Sequence, residues 1–137
     1  MAKKGNRKVK SAVESLRLKR RWVMTLCNKL MSDEGLSRSN AMRQALDTWW
    51  VLEAMGSGIV GFSYLKENGW LRMASGTLCK GICPDFDNYV RHGRLRRDNN
   101  AGADGTFVYW DVTENGFRSF KAGRLKNIFY HRLKIKD

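Results

Sequence analysis

The sequence predicts an α+β protein in which an N-terminal helical segment packs on a small five-stranded β-barrel. Three observations carry this. Apolar residues recur at helical spacing from about residue 11 to the Gly56-Ser57-Gly58 stop, and alternate with a period of two from Ile59 onward. The tripeptide Glu-Asn-Gly occurs twice, at 67–69 and 114–116, each time between two alternating stretches. Asn-Gly supplies residues that tolerate positive φ, which a tight hairpin of the right twist requires. Two hairpins and one closing strand would leave long edges in an open sheet, and closure into a barrel removes them. Helices first and strands afterwards set the class.

The elements follow in order. Residues 1–10, with Lys3, Lys4, Arg7, Lys8 and Lys10 among small polar residues, are expected to form a disordered basic arm. A helical segment is expected over 11–56. Ser11-x-x-Glu14 has the capping-box pattern and opens a helix through about Met31. Val13, Leu16, Val23, Cys27 and Leu30 fall on one face of it, Arg17, Arg20 and Arg21 occupy much of the rest, and Asp33-Glu34-Gly35 ends it. A second helix starts after Ser37 or Ser39, with Met42, Ala45, Leu46, Trp49 and Leu52 as its apolar face.

The barrel is expected over 57–137. Val60, Phe62 and Tyr64 share one face of the first strand, and Trp70 to Leu78 returns as the second. Residues 79–105 read as a long loop rich in Gly, Asp and Asn. Thr106–Asp111 is the third strand, and the fourth follows the second turn, with Arg118 and Phe120 on one side and Phe117, Ser119 and Lys121 on the other. Ile128 to Ile135 offers the fifth. The expected core includes Val60, Phe62, Leu78, Val108, Phe120, Leu125 and Ile128.

Composition narrows the function. A chain of 137 residues is one compact unit, or one small domain with an appendage. The net charge is +13, and both ends share it: residues 1–35 hold ten Lys/Arg against three acids, and 36–137 hold sixteen against ten. Such an excess costs self-repulsion on folding and favours a polyanionic partner, nucleic acid (DNA or RNA) first and an acidic protein second. The bland reading is a solvated basic surface without a partner. No run of eighteen apolar residues occurs, so no membrane span is expected. The basic N-terminus lacks an apolar core and a cleavage site, so export is not expected either. Cys27, Cys79 and Cys83 read as reduced thiols in a cytoplasm.

One series of motifs adds a resemblance. It runs through Leu36-Ser37-x-Ser39-x-Ala41, Trp49-Trp50, Val60-Gly61-Phe62-Ser63-Tyr64 with Asn68-Gly69, and Gly76-Thr77-Leu78. It continues through Tyr109-Trp110-Asp111 and the Gly116–Leu125 segment. Over roughly residues 36–126 this series resembles the small WYL-related, Sm-like SH3 β-barrel proteins of gut bacteria and their phages. The literal Trp-Tyr-Leu tripeptide is absent. The resemblance implies a preceding helix packed on an SH3-like barrel that binds nucleic acid or a nucleotide-like ligand, with Arg118, Phe120 and Arg124 at the positions of the family's closing motif. It also admits a phage or mobile-element structural protein, carried in a phage particle, and a nucleotide-sensing regulatory domain.

Candidate binding residues fall in three groups. Arg118 and Arg124 are placed to contact phosphates, with Phe120 or Tyr109 stacking on a base; the competing role of Phe120 is in the barrel core, which needs inward aromatics. Arg94, Arg96 and Arg97 form the densest basic run of the second half, in the long loop, where binding residues gather on rigid barrels. Lys19, Arg20 and Arg21 on the first helix are placed to lie along a phosphate backbone, or to form an ordinary charged face.

Other chemistries are weaker. A helix-turn-helix over 11–55 would have a long turn and two Trp residues where base-reading side chains belong. Cys79-x-x-x-Cys83 with His92 or His131 lacks the usual zinc spacing and a second Cys pair. Asp85, Asp87 and Asp98 are ordinary turn residues before they are Mg²⁺ ligands. No phosphate-binding loop, nucleophile motif or His-Glu-x-x-His occurs, so neither catalysis nor a cofactor is expected.

Overall fold

The aromatic and aliphatic stripe of the N-terminal half dictates how its helices meet. The computed structural model describes residues 2–83 and 105–133, with side chains over 11–83 and 105–129. Helix α1 spans Ala2–Glu34 and α2 spans Arg38–Met55. Trp22, Val23, Leu26, Cys27 and Leu30 of α1 are buried, and they lie within about two turns of one another at three- and four-residue spacings. Gly35, at φ +66°, turns the chain out of α1. Ser37 then caps α2, its hydroxyl accepting a hydrogen bond from the Asn40 backbone N–H at 3.2 Å. Trp22 stands edge-on to Trp49 of α2 at 5.3 Å and tilts against Phe107 of the barrel at 5.6 Å, so one ring joins all three layers.

The second half is one antiparallel sheet of five strands: β1 (Gly58–Leu65), β2 (Leu71–Thr77), β3 (Thr106–Asp111), β4 (Gly116–Lys121) and β5 (Leu125–Leu133). The order is β4-β3-β2-β1-β5, and a 3₁₀ turn at Ala122–Arg124 carries the chain from one end of that order to the other. Both Glu-Asn-Gly tripeptides make the expected turns. Gly69 sits at φ +86° and Asn115 at φ 58°, the left-handed region those residues tolerate. The β1–β5 ladder shifts register between Gly61 and Phe62 and again between Ser63 and Tyr64. Such irregularities bend a strand, which is what rolling a five-stranded sheet needs.

Phe62, Tyr64, Phe107, Tyr109 and Phe120 fill the interior, with ring centroids 5.2–6.2 Å apart. Burial of each such ring contributes about 1.5–3 kcal/mol. Gly76 makes room for them: a Cβ there would stand 2.8 Å from Tyr109 Cδ2 and 3.0 Å from Phe62 Cε1. Helix α2 is bolted to the barrel by Gln44, whose buried amide donates to the carbonyls of Ala122 (3.1 Å) and Leu125 (2.8 Å). At its other end the Leu78 N–H donates to the Met55 carbonyl at 2.9 Å.

Several expectations change. The first helix runs from Ala2 through the residues read as a disordered arm and continues past Met31 to Glu34, so Ser11 is a mid-helix residue and not a cap. Lys, Arg and Ala favour the helix and no proline interrupts it, so a helix anchored at Trp22 can propagate toward the N-terminus. The fifth strand begins at Leu125, three residues before the expected Ile128, because Tyr64 of β1 pairs with Leu125. Of the expected core, Val60, Phe62, Leu78, Phe120 and Leu125 are buried, while Val108 and Ile128 are half-buried and pack against it.

Candidate functional site

The inward positions near one end of the barrel are not all apolar. Alternation along β2 places Arg72, opposite Tyr64, on the inward side, and alternation along β4 does the same for Arg118 next to Phe120. Two inward arginines cannot be packed into an aromatic core, so they mark its mouth. There a groove of about 460 Å³ opens, with Lys66, Arg72, Arg118, Lys121 and Arg124 along its walls and Glu67 as its one acid among the described residues. Tyr64 and Phe120 lie beneath it and Phe117 flanks it. Below the arginines, the Tyr64 and Tyr109 hydroxyls share a 2.7 Å hydrogen bond. Burial pushes both phenols above the ordinary tyrosine range, Tyr109 furthest, so this floor stays neutral at any physiological pH.

The two expected arginines are held differently. Arg124, in the 3₁₀ turn, donates from Nη1 to the Lys66 carbonyl at 3.1 Å and so ties that turn to the β1–β2 turn across the groove. Arg118 is a counter-charge. Its Nε lies 3.8 Å from Oδ2 of Asp111, and its Nη2 lies 3.9 Å from Oε2 of Glu114. The Asp111 carboxylate is 1% exposed, and its Oδ1 accepts from the backbone N–H groups of Thr113 (3.0 Å) and Glu114 (3.1 Å), shaping the β3–β4 turn. Part of the Arg118 charge is therefore spent inside the fold.

The two expected stacking rings are core residues. Tyr109 is 0% exposed and Phe120 is 2% exposed, each packed against three or more rings, so neither has a face open to a base. The aromatic that borders the groove is Phe117, 42% exposed and edge-on to Trp110 at 4.9 Å. Sequence reasoning missed Lys66, Arg72 and Lys121 as members of this wall. The signal for Arg72 was present: a charged residue at an inward-phase position of a predicted strand. Arg94, Arg96 and Arg97 lie outside the described residues, as do Asp85, Asp87, His92 and Asp98. Lys19, Arg20 and Arg21 stand on α1, Arg20 and Arg21 exposed and Lys19 half-buried, one turn before Trp22 enters the core, and they do not line the groove.

Residues 51–126 match the model of the WYL_2 family, described as an Sm-like SH3 beta-barrel fold. The chain belongs to the WYL_2 family. That match spans more than half of the sequence and covers the end of α2, all of β1–β4 and the 3₁₀ turn. No curated protein and no solved structure matches the chain. WYL_2 domains are small Sm-like barrels, often regulatory and typically non-catalytic. In this WYL_2 protein no described helix is long and apolar enough to cross a membrane. Among the described residues, no group of three or more His, Cys, Asp or Glu is placed to hold a metal ion.

Proposed function

We propose that this protein is a non-catalytic nucleic-acid-binding protein whose barrel groove takes the phosphate-bearing strand. One observation carries the reading: among the described residues, Lys66, Arg72, Arg118, Lys121 and Arg124 converge on one groove whose wall holds one acid, Glu67, with Arg118 alone of the five shared with the Asp111 and Glu114 carboxylates. Cations so placed release counterions from a phosphate backbone when they bind it, and that gives affinity with weak sequence preference. Phe117 stands at the edge for a base to stack on, a contact that contributes about 1–3 kcal/mol in single-strand binders. Residues 2–21 of α1 add nine Lys/Arg against Glu14 alone, a second basic element that supplies non-specific attraction.

Titration with single- and double-stranded DNA and RNA at several salt concentrations tests this. Affinity is expected to fall with salt at a slope of about −0.9 per phosphate contact on duplex, or about −0.7 on single strand. Replacement of Lys66 and Lys121 by Ala is expected to flatten that slope with the melting temperature little changed. Binding that ignores salt points instead to an acidic protein partner or a structural role, and a protein that retains no oligonucleotide at all refutes the proposal. The groove volume favours one second reading. At about 460 Å³ it lies within the range of about 300–1,000 Å³ common for small-ligand sites, so a regulatory domain sensing a short oligonucleotide is the alternative. Saturable binding of di- or trinucleotides would mark it.

A further inference from the structure

Strand β2 is paired along its whole length on one side only. Its ladder to β1 runs from Leu71 to Thr77, whereas its ladder to β3 holds only Gly76 and Thr77, extended by one bond from the Val112 N–H to the Ser75 carbonyl at 2.9 Å. Backbone groups alternate sides along a strand. Because the Ser75 carbonyl points toward β3, the N–H and C=O of Met73 and Leu71 point the same way, where no described strand lies. The Trp70 carbonyl accepts from the Lys66 N–H inside the β1–β2 hairpin and so points the opposite way, as the alternation requires. The side chains along this free edge are the three most exposed large apolar ones of the described barrel: Trp70 at 72%, Met73 at 62% and Leu71 at 55%.

Free strand edges are normally guarded by lysine, proline or a bulge. This one reads Trp70-Leu71-Arg72-Met73-Ala74, and its one charge turns inward to the groove. A neutral, apolar edge on a chain of net charge +13 is the part of the surface where a second copy meets least repulsion.

We infer that this edge pairs with the same edge of a second copy, as an antiparallel β2–β2 ladder across a twofold axis at Arg72. The register follows from the free groups. An axis at Arg72 sets Leu71 opposite Met73 of the second copy, and Met73 opposite its Leu71. All of these residues carry outward N–H and C=O groups, so both pairs are of the hydrogen-bonded kind, and the two rungs make four backbone hydrogen bonds. Leu71 and Met73 then meet side by side on the outer face. An axis at Met73 would need Ser75, whose carbonyl is already taken by Val112, and an axis at Leu71 would run the ladder into the turn at Gly69. The two Arg72 side chains come opposite each other on the inner face, where like charges oppose pairing. Screening by salt therefore tightens the dimer. Three apolar side chains per copy bury less than the roughly 1,200 Å² of a standard interface, which places the dimer among the weak, transient ones.

Sedimentation of the full chain over a concentration series up to the submillimolar range tests this, at moderate and at high salt. A monomer–dimer equilibrium that shifts toward dimer at high salt is expected, with Leu71→Lys plus Met73→Lys monomeric throughout. A wild-type chain that stays monomeric overturns the inference, and so does a dimer that persists in a folded lysine variant. Should the lysine variant not fold, single-cysteine variants decide. Cα atoms of a hydrogen-bonded pair lie about 5.5 Å apart, within disulfide reach. Leu71→Cys mixed with Met73→Cys is expected to cross-link under mild oxidation faster than either variant alone, since Cys27, Cys79 and Cys83 are buried. Equal rates in the mixture and in the separate samples overturn the register.

Discussion

Removal of Arg118 leaves a buried carboxylate without its counter-charge, and the cost of that is open to measurement. Asp111 is 1% exposed; one of its oxygens is committed to two backbone N–H groups and the other faces Arg118 Nε at 3.8 Å without a hydrogen bond. Loss of one partner of a fully buried ion pair costs about 3–5 kcal/mol. Here the arginine side chain is a third exposed and the contact is longer than a hydrogen bond, so water screens the charge and about 1–2 kcal/mol is expected for Arg118→Ala. Glu114, more than half exposed at 3.9 Å, adds little. For a chain of this size, 1–2 kcal/mol lowers the melting temperature by about 4–8 °C. Asp111→Asn in the same background keeps an oxygen for the Thr113 and Glu114 N–H groups and removes the stranded charge. The double variant is therefore expected to recover most of the loss in a thermal melt followed by circular dichroism. If Arg118→Ala melts like the wild type, or if Asp111→Asn deepens its defect, the assignment of Arg118 as the counter-charge of Asp111 is wrong.

Other perturbations read other parts of the molecule. Gln44→Leu leaves the Ala122 and Leu125 carbonyls buried without a donor and is expected to lose about 2–3 kcal/mol in denaturant unfolding, with Gln44→Glu worse because a carboxylate has no N–H to give. Gly76→Ala drives a methyl into Tyr109, Phe62 and Met55 and is expected to cost about 1–3 kcal/mol; an unchanged denaturation midpoint would show that the aromatic layer has slack. The raised phenols of Tyr64 and Tyr109 contribute stability that is complete below the unfolded tyrosine value near pH 10 and is lost as pH climbs above it, so absorbance titration is expected to show both ionising only together with alkaline unfolding. Deletion of residues 1–10 is expected to weaken nucleic-acid affinity modestly and flatten its salt slope, leaving any strand preference as it was.

The architecture was legible because each element carries its own signal. Ser37 and Ser39 before an apolar-periodic stretch announced the start of α2, which Ser37 caps, and two Asn-Gly dipeptides announced the hairpins. The phase of β4 was legible as well: Arg118 and Phe120 do share the inward side. The error lay in reading a shared side as a shared surface. Phe120 lies under the mouth and Arg118 at it, because a barrel strand passes from packed interior to open end within two residues, and sequence alternation does not say where that passage falls. Tyr109 was misread for the same reason. Its ring turns inward too, and its hydroxyl bonds to the Tyr64 hydroxyl, 45 residues earlier in the chain. The start of α1 was lost to composition. A lysine-rich stretch of low hydropathy looks like a tail, and the anchor that lets it continue as helix, the Trp22–Trp49–Phe107 cluster, forms only in the fold.

If the groove takes a phosphate-bearing strand as proposed, the way the cations are held sets how much each one contributes. The β1–β2 ladder fixes the backbone of Arg72 opposite Tyr64, over a floor made of the Tyr64–Tyr109 pair and Phe120. Arg124 is fixed by its bond to the Lys66 carbonyl. Side chains ordered before a ligand arrives lose little rotamer freedom when it binds, a loss of about 0.5–1.5 kcal/mol for each one that must be immobilised. Lys66 and Lys121 border the groove on flexible stems and give up more. Arg118 is held as well, but its field is shared with Asp111, so a phosphate meets less than a full charge there. On that reading the order of contribution per charge is expected to run from Arg124, through Arg72, Lys121 and Lys66, to Arg118. The sequence alone gives Arg118 and Arg124 equal weight; their surroundings in the fold separate them. Single alanine variants ranked by salt-slope change, each checked by thermal melt, test the order. An Arg118 variant that flattens the slope most while keeping its melting temperature would show that Asp111 leaves its charge free.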